Sequence, residues 1–284
     1  MSRRSRPPHL LQNLLPVVSR TASAKGAIFD VGRMAGPAYI ILGSAAGSGG
    51  TTTLAVSLEN SAPAAATASF TTIGTGDTEL KTSASGNTEI AAKWTQSGAR
   101  TLRSVVIPIK TNGSPSGAAT LACKIYADSS GVPTGAALAT SDNVLVSSVD
   151  DAYESITFTF STPLDLSDAT VYHLALTASY TASEDDNVMW RTGTVGSGGN
   201  ASTKDATTWS AVATNNREFI ANGNSWAAVS GSTFTTASGA ASKQMLTVQA
   251  DALNEIRVSA TQGAGSTFVY GVTGLFVDDV GASS

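Results

Sequence analysis

Trp190 and Trp209 flank the glycine-rich segment Gly196-Ser197-Gly198-Gly199, and Asn187, Arg191, Asn200 and Asp205 stand close to them in the chain. Aromatic faces beside amide and charged groups suit a sugar, whose C–H faces stack on rings while its hydroxyls meet fixed donors and acceptors. These six residues form a candidate ligand-binding set. The competing reading is that either Trp packs in a core, and burial of both would remove the site.

Covalent chemistry finds less to work with. A serine nucleophile needs a base, and the only histidines are His9, near the N-terminus, and His173. His173 sits in Val171-Tyr172-His173-Leu174-Ala175-Leu176 with no Gly-x-Ser-x-Gly elbow nearby, so it reads as a structural strand residue. Two acidic clusters, Asp150-Asp151 with Glu154 and Glu184-Asp185-Asp186, each offer two or three of the six to eight oxygens that calcium takes. Neither has the Asp-x-Asp-x-Asp-Gly order of a calcium loop, and both read as solvated acidic loops. Paired carboxylates for glycoside hydrolysis carry no signal in a chain with 21 acidic residues. Gly47-Ser48-Gly49-Gly50 and Gly196-Ser197-Gly198-Gly199 lack the Lys-Ser/Thr ending of a phosphate loop. The single cysteine, Cys123, excludes an intrachain disulfide and a thiolate metal cluster. No catalytic residue, metal site or cofactor is read from the chain.

The elements that must position these residues follow from composition. Charged residues make up 13% of the 284, against a usual share of about a quarter, so charging does not dominate this surface. Ser, Thr, Asn and 27 glycines supply the polarity, which is the texture of short strands joined by tight turns. The net charge of -4 gives no general affinity for nucleic acid, and no apolar run is long enough to insert in a membrane. The charge is unevenly placed. Residues 1–35 carry Arg3, Arg4, Arg6, Arg20, Lys25 and Arg33 against Asp30 alone, a net +5, which leaves -9 on the remainder. This is a basic arm on an acidic body.

Within the arm, Leu10, Leu11, Leu14, Leu15 and Val18 fall on one helical face, and Pro16 limits the predicted helix to about two turns. So short a helix must dock its apolar face, either on its own body or on a neighbouring subunit. The segment superficially resembles a secretory signal, but Gln12, Asn13 and Pro16 interrupt its apolar stretch, and it is read as part of the mature chain.

Alternating strands are predicted at 38–43, 51–59, 243–249, 255–261 and 267–277, and in the middle of the chain at 99–110, 119–127, 155–160 and 170–177. Asn112-Gly113, Ser129-Ser130-Gly131 and Thr162-Pro163 supply turns between the middle strands. All four tryptophans lie between residues 81 and 229. The simplest organisation is nested: a β-sandwich over 81–229 inserted into an antiparallel β-sandwich host built from 36–80 and 230–284, preceded by an arm at 1–35. The fold class is all-β.

The middle segment resembles the jelly-roll-like, choice-of-anchor type of β-sandwich module found on bacterial surface and viral proteins. The likeness rests on Leu102 to Lys110, on Lys124-Ile125-Tyr126-Ala127-Asp128-Ser129-Ser130-Gly131-Val132-Pro133-Thr134-Gly135, on Phe158 to Leu166 leading to Thr170 to Leu176, and on Asp205 to Ser210. It implies a module suited to glycan contact, with no fixed catalytic motif to carry over. The terminal blocks, through Ala38 to Leu42, Thr51 to Ser61, Phe70 to Ile73 and Asn254 to Val277, are similar to small head-associated structural proteins of tailed bacteriophages. The leucine-rich arm and the large insertion depart from that pattern, and a position on the virion does not carry over. Together the resemblances imply a non-enzymatic decoration or head-spike subunit on the capsid surface. Its partners would be the major capsid protein or other virion proteins, copies of itself and a host-surface glycan, with no nucleic acid and no membrane insertion. Attachment would use Arg3, Arg4, Arg6, Leu10, Leu11, Leu14 and Leu15. The alternative is a tail-associated receptor-binding protein or a carbohydrate-binding surface adhesin.

Overall fold

A computed structural model describes residues 9–32, 34, 36–49, 53–62, 65–70, 76–80, 87–115, 118–179, 186–194, 199–205, 207–236, 241–250 and 253–277. It is an all-β protein whose chain divides into two compact units: Met1–Pro63 with Trp226–Ser284, and Ala64–Ser225. The first unit begins with β1 (His9–Arg20), β2 (Ala24–Lys25), β3 (Phe29–Asp30), β4 (Pro37–Ser44) and β5 (Leu54–Ser61). The second holds β6 (Ala65–Phe70), β7 (Gly76–Leu80), β8 (Glu89–Thr95), β9 (Arg100–Asn112), β10 (Thr120–Ser129), β11 (Val132–Thr140) and β12 (Val144–Leu145). It continues through β13 (Glu154–Leu166), β14 (Val171–Ala178), β15 (Asn187–Thr194), β16 (Ala201–Lys204), β17 (Trp209–Val212), β18 (Asn215–Arg217) and β19 (Phe219–Asn224). The chain then returns to the first unit with β20 (Trp226–Ala228), β21 (Phe234–Thr236), β22 (Ser242–Gln249), β23 (Glu255–Gln262) and β24 (Phe268–Val277).

Each unit is a sandwich of two antiparallel sheets. In the first, sheet I runs β1-β24-β4-β22 and sheet II runs β2-β23-β5-β20, with β3 and β21 added to β23 and β5. Sheet I contributes Leu14, Leu15, Ile40, Leu42, Tyr270, Val272 and Phe276 to the core, and sheet II contributes Leu54, Val56, Leu58, Ile256 and Val258. In the second unit, sheet III runs β11-β10-β14-β8-β16-β17 with β12 on β10, and sheet IV runs β18-β15-β9-β19-β6 with β13 on β9 and β7 on β15. Alternation along β8, β10 and β14 sends Ile90, Ala92, Trp94, Leu121, Cys123, Ile125, Tyr172 and Leu174 inward against Val105, Ile107, Phe158, Val188, Trp190 and Phe219 of sheet IV. In both units successive strands cross repeatedly from one sheet to the other, which is jelly-roll-like connectivity.

Three expectations are corrected. The leucine-rich segment is strand β1, antiparallel to β24, and no helix forms there. Register shifts between Asn13 and Leu15 and between Leu15 and Val18 mark bulges. A bulge lets consecutive residues face the same way, so Leu14 and Leu15 are both buried while Leu11, Val17 and Val18 stay exposed. Bulged spacing thus imitates helical spacing. Arg20 fastens the strand's end: its Nη1 donates to the Tyr270 carbonyl at 2.8 Å and its guanidinium lies 4.6 Å from the Tyr270 ring centroid. Second, β6 and β7, expected in the host, pair with β19 and β15 of the other unit, and Trp226 pairs with Ser61 in the terminal-block unit. Third, Thr162-Pro163 is not a turn. The strand runs through it, with a register shift between Thr159 and Leu164 absorbing the proline.

Candidate functional site

The six residues of the expected sugar site are not brought together on one surface. Trp190 is wholly buried in the core between sheets III and IV, with its indole Nε1 donating to the Glu218 carbonyl at 2.7 Å. Asn187, on the same strand, is also wholly buried. Arg191 is partly exposed, 3.8 Å from the Glu218 carboxylate and 5.1 Å above the Tyr153 ring. Buried Asn200 is spent on the backbone: its Oδ1 accepts the Arg217 N–H at 2.8 Å, and its own N–H donates to Asn216 Oδ1 at 2.8 Å. Asp205 is exposed, and its Oδ1 accepts the Thr207 and Thr208 N–H groups at 2.9 and 2.7 Å. Those two donors, Thr207 first, hold its carboxyl below the ordinary range. Trp209 lies half-buried on the other sheet, edge-on to Tyr126 at 5.9 Å. With the Trp190 ring inside the core, no sugar can stack between the two indoles.

The acidic clusters behave as loops. Glu154 Oε1 accepts the Asp150 N–H at 2.8 Å and Asp186 Oδ1 accepts the Ser114 N–H at 2.6 Å, while Glu184 and Asp185 lie outside the described residues. Among the described residues no group of three possible metal ligands forms.

The second unit instead concentrates its polar chemistry on the outer face of sheet III, which sequence reasoning missed. The inward alternation of Tyr172, Leu174 and Leu176 sends His173 and Ala175 outward. Across this face Tyr126 is paired with His173, and His173 with Lys93. At one end, nearly buried Glu89 accepts the Tyr126 hydroxyl at 3.0 Å and the Lys204 ammonium at 2.7 Å, with Lys124 at 3.8 Å. Burial, followed by the Glu89 charge and hydrogen bond, pushes the Tyr126 phenol well up. At the other end His173 Nε2 lies 2.7 Å from Asp128 Oδ1.

His173 is wholly buried, and burial, outweighing the opposing pull of Asp128, holds its imidazole below the ordinary value and favours the neutral ring. Its Nδ1 is buried without a hydrogen-bond partner, which assigns the proton to Nε2, where the carboxylate accepts it. The β10–β11 hairpin carries Asp128. Ser130 and Gly131 both have positive φ, 53° and 88°, as a two-residue type I′ turn requires. Gly131 N–H donates to Asp128 Oδ2 at 3.3 Å. Partial burial raises the Asp128 carboxyl, but the His173 hydrogen bond and the Gly131 N–H outweigh it and leave the carboxyl below its ordinary range. Lys93, Trp94, Thr95, Asp128, Gly131 and Val171 border a cleft of about 350 Å³. A general base must reach the proton it abstracts. The buried His173 does not, and its geometry suits it to orienting Asp128.

Arg217 was also missed. It is wholly buried, its Nη1 donates to the Ala91 and Ser202 carbonyls at 2.5 and 2.8 Å, and burial lowers its guanidinium to about 9. It ties sheet IV to sheet III.

In the first unit the feature is apolar. Outward positions of sheet I form rows: Leu11, Leu275, Tyr39 and Thr247, then Asn13, Thr273, Ile41 and Met245, then Gly271, Gly43 and Lys243. Leu11 and Met245 are 67% and 62% exposed, and Lys243 is the sole charged residue in these rows. Val17, 70% exposed, packs over Gly271, whereas a Cβ on Gly43 would meet nothing within 4 Å, leaving a shallow trough. Of the residues expected to mediate assembly, Leu14 and Leu15 are core residues of this unit, Leu11 is on the exposed face, and Arg3, Arg4, Arg6 and the Leu10 side chain lie outside the described residues.

No family model and no curated protein matches this chain. Among solved structures it is similar to the cysteine protease and lectin-like domains of Cwp84, a surface-layer-associated protein of Clostridium difficile, at 12% identity and a TM-score of 0.33, over 48% of this chain and 31% of that one. It is similar to the infectious bursal disease virus Gx strain protein at 8% identity and a TM-score of 0.25, over 98% of this chain and 83% of that one. A triple jelly-roll turret protein of an archaeal virus matches at 8% identity and a TM-score of 0.18, over 96% and 90%. The chain spans about a third of the length of the clostridial proteins it matches. None of these likenesses assigns a family or an activity.

Proposed function

We propose that this protein is a non-enzymatic structural subunit of a virion, a capsid decoration or head-spike protein. It attaches through its terminal-block sandwich and carries the inserted sandwich as its displayed module. The observation that carries the reading is the outward face of sheet I. Four strands about 4.8 Å apart and eight residues at about 3.3 Å each span roughly 500 Å². The apolar side chains cover part of that face, and the largest apolar patch on a typical monomer, roughly 300–600 Å², is often a functional surface. Leu11, Leu275, Tyr39, Ile41 and Met245 contribute the apolar surface, and with a single lysine the rows present little charge to desolvate. The resemblance of the terminal blocks to phage head-associated proteins supplies the occupant: the capsid shell.

In this reading Leu14 and Leu15 keep β1 in its own sandwich and the exposed Leu11 helps to meet the shell. Arg3, Arg4 and Arg6 add charge-assisted contacts to acidic groups on it. The test is a Tyr39→Asp, Met245→Asp double variant, since both side chains are exposed and neither belongs to the core. Purified particles should lose the subunit while its thermal midpoint in isolation stays within a few degrees of the parent. Full occupancy of the double variant on particles would overturn the assignment.

A further inference from the structure

We propose that the cleft between Lys93 and Asp128 on the outer face of sheet III binds a single neutral sugar residue through its hydroxyl groups. The inference is independent of shell attachment, because every residue it uses belongs to the other unit.

Two opposite charges, Lys93 and Asp128, are held apart on this face. Lys93 lies close enough to act on both Asp128 and His173, and a Cβ built on Gly131 would sit 3.8 Å from its ammonium. Yet among the described residues no ion pair closes between Lys93 and Asp128, and both border the same cleft. Asp128 is fixed from behind by two donors, His173 Nε2 and Gly131 N–H, one on each oxygen. Each carboxylate oxygen has a further lone pair, so the front of the group is an oriented acceptor. Opposite it stands an ammonium with three donors and no ion-pair partner among the described residues. Sugar hydroxyls satisfy both, accepting from Lys93 and donating to Asp128.

Charge sets the ligand's class. An anion would meet the Asp128 carboxylate and a cation the Lys93 ammonium, and either would lose on one contact what it gained on the other. A neutral polyol meets both. Val171 gives the cleft an apolar wall for C–H groups and Thr95 a further hydroxyl. At about 350 Å³ the space is at the small end of ligand sites, which suits one ring rather than an extended chain. The pairing was not visible in the sequence, where Lys93, Asp128 and Val171 lie on three separate strands, and the site shares no residue with the Trp190–Trp209 set.

Two-dimensional amide NMR of the 284-residue chain titrated with methyl α-glucopyranoside, methyl α-galactopyranoside and methyl α-mannopyranoside tests this. At least one hexoside should give saturable shifts of the Gly131 and Thr95 amides, and Lys93→Met should weaken that ligand at least roughly tenfold, as loss of a hydrogen bond from a charged donor does. Asp128→Asn should do the same. Because it also puts an NH2 donor where one of the two oxygens accepts from His173 or Gly131, Lys93→Met with an unchanged thermal midpoint is the decisive variant. No shift of those amides with any hexoside at about 0.1 M, some hundred times a millimolar dissociation constant, would overturn the proposal. So would equal shifts from glycine zwitterion, or binding indifferent to Lys93→Met.

Discussion

His173 and Asp128 lie 45 positions apart in the chain and 2.7 Å apart in space. Their environment makes stability depend on pH in a stated direction. Burial lowers the His173 imidazole below its ordinary 6.5, so the unfolded chain binds this proton more readily than the folded protein. Stability from this group is complete above about pH 6.5 and falls as the pH drops below it. Asp128 acts in the same sense: its carboxyl is held below its ordinary value, so its contribution is present at neutral pH and lost in acid. The denaturant midpoint should therefore fall between about pH 7.5 and about pH 5, and His173→Gln, which keeps a donor but has no titrating ring, should flatten that slope. An identical slope in the variant would show that other groups set it. At this scale the sequence was only partly legible. The strand around His173 was readable from its alternation, and so was its structural role, but the partner was not, because pairing across β10 and β14 is a property of register. Trp190 shows the converse: its neighbours in sequence suggested a surface site, while its position in β15 sends its ring into the core.

At the scale of elements, β1 shows how a local pattern can be met by two structures. Leu10, Leu11, Leu14, Leu15 and Val18 satisfy helical spacing, and the same spacing fits a strand with two bulges. Pairing decides between them, since a helix of two turns has little stability of its own, whereas β1 pairs with β24 along most of its length and places two leucines in a core. The hairpin of β10 and β11 was legible for the opposite reason: Ser129-Ser130-Gly131 is a local turn signal, and Ser130 and Gly131 provide the positive φ angles it needs. The β1 assignment changes what truncation should do. Deleting residues 1–20 strips the edge strand from sheet I and exposes the side of β24, so the terminal-block sandwich should lose stability rather than merely lose an anchor. The point variant Leu14→Ala should cost about 2–5 kcal/mol in chemical unfolding, the usual range for emptying a buried leucine site. A Leu14→Ala cost below about 1 kcal/mol would mean that β1 is bound too loosely to belong to the core.

For the whole molecule, the nested plan follows from how the chain leaves and re-enters sheet II. β5 ends at Ser61, the other unit occupies Ala64–Ser225, and β20 returns at Trp226 to pair with Ser61. Exit and return are therefore neighbours on adjacent strands, the arrangement that allows a continuous module to be carried without interrupting a sheet. Composition located the insertion, through its tryptophans and turn signals, but missed its edges: β6 is short and alanine-rich, β7 is short and polar, and only their pairing with β19 and β15 assigns them. That pairing predicts which fragment is a folding unit. Residues 64–225 form both sheets of their sandwich and its core, in which Leu80 of β7, paired with Val188 of β15, is buried. A fragment starting at residue 81 lacks β6, β7 and that leucine, and leaves the edges of β19 and β15 open. Expressed alone, 64–225 should give dispersed amide resonances and a single cooperative thermal transition, and 81–229 should unfold at a clearly lower temperature or aggregate. Equal stability of the two fragments would show that β6 and β7 are accessories to the sandwich rather than part of it.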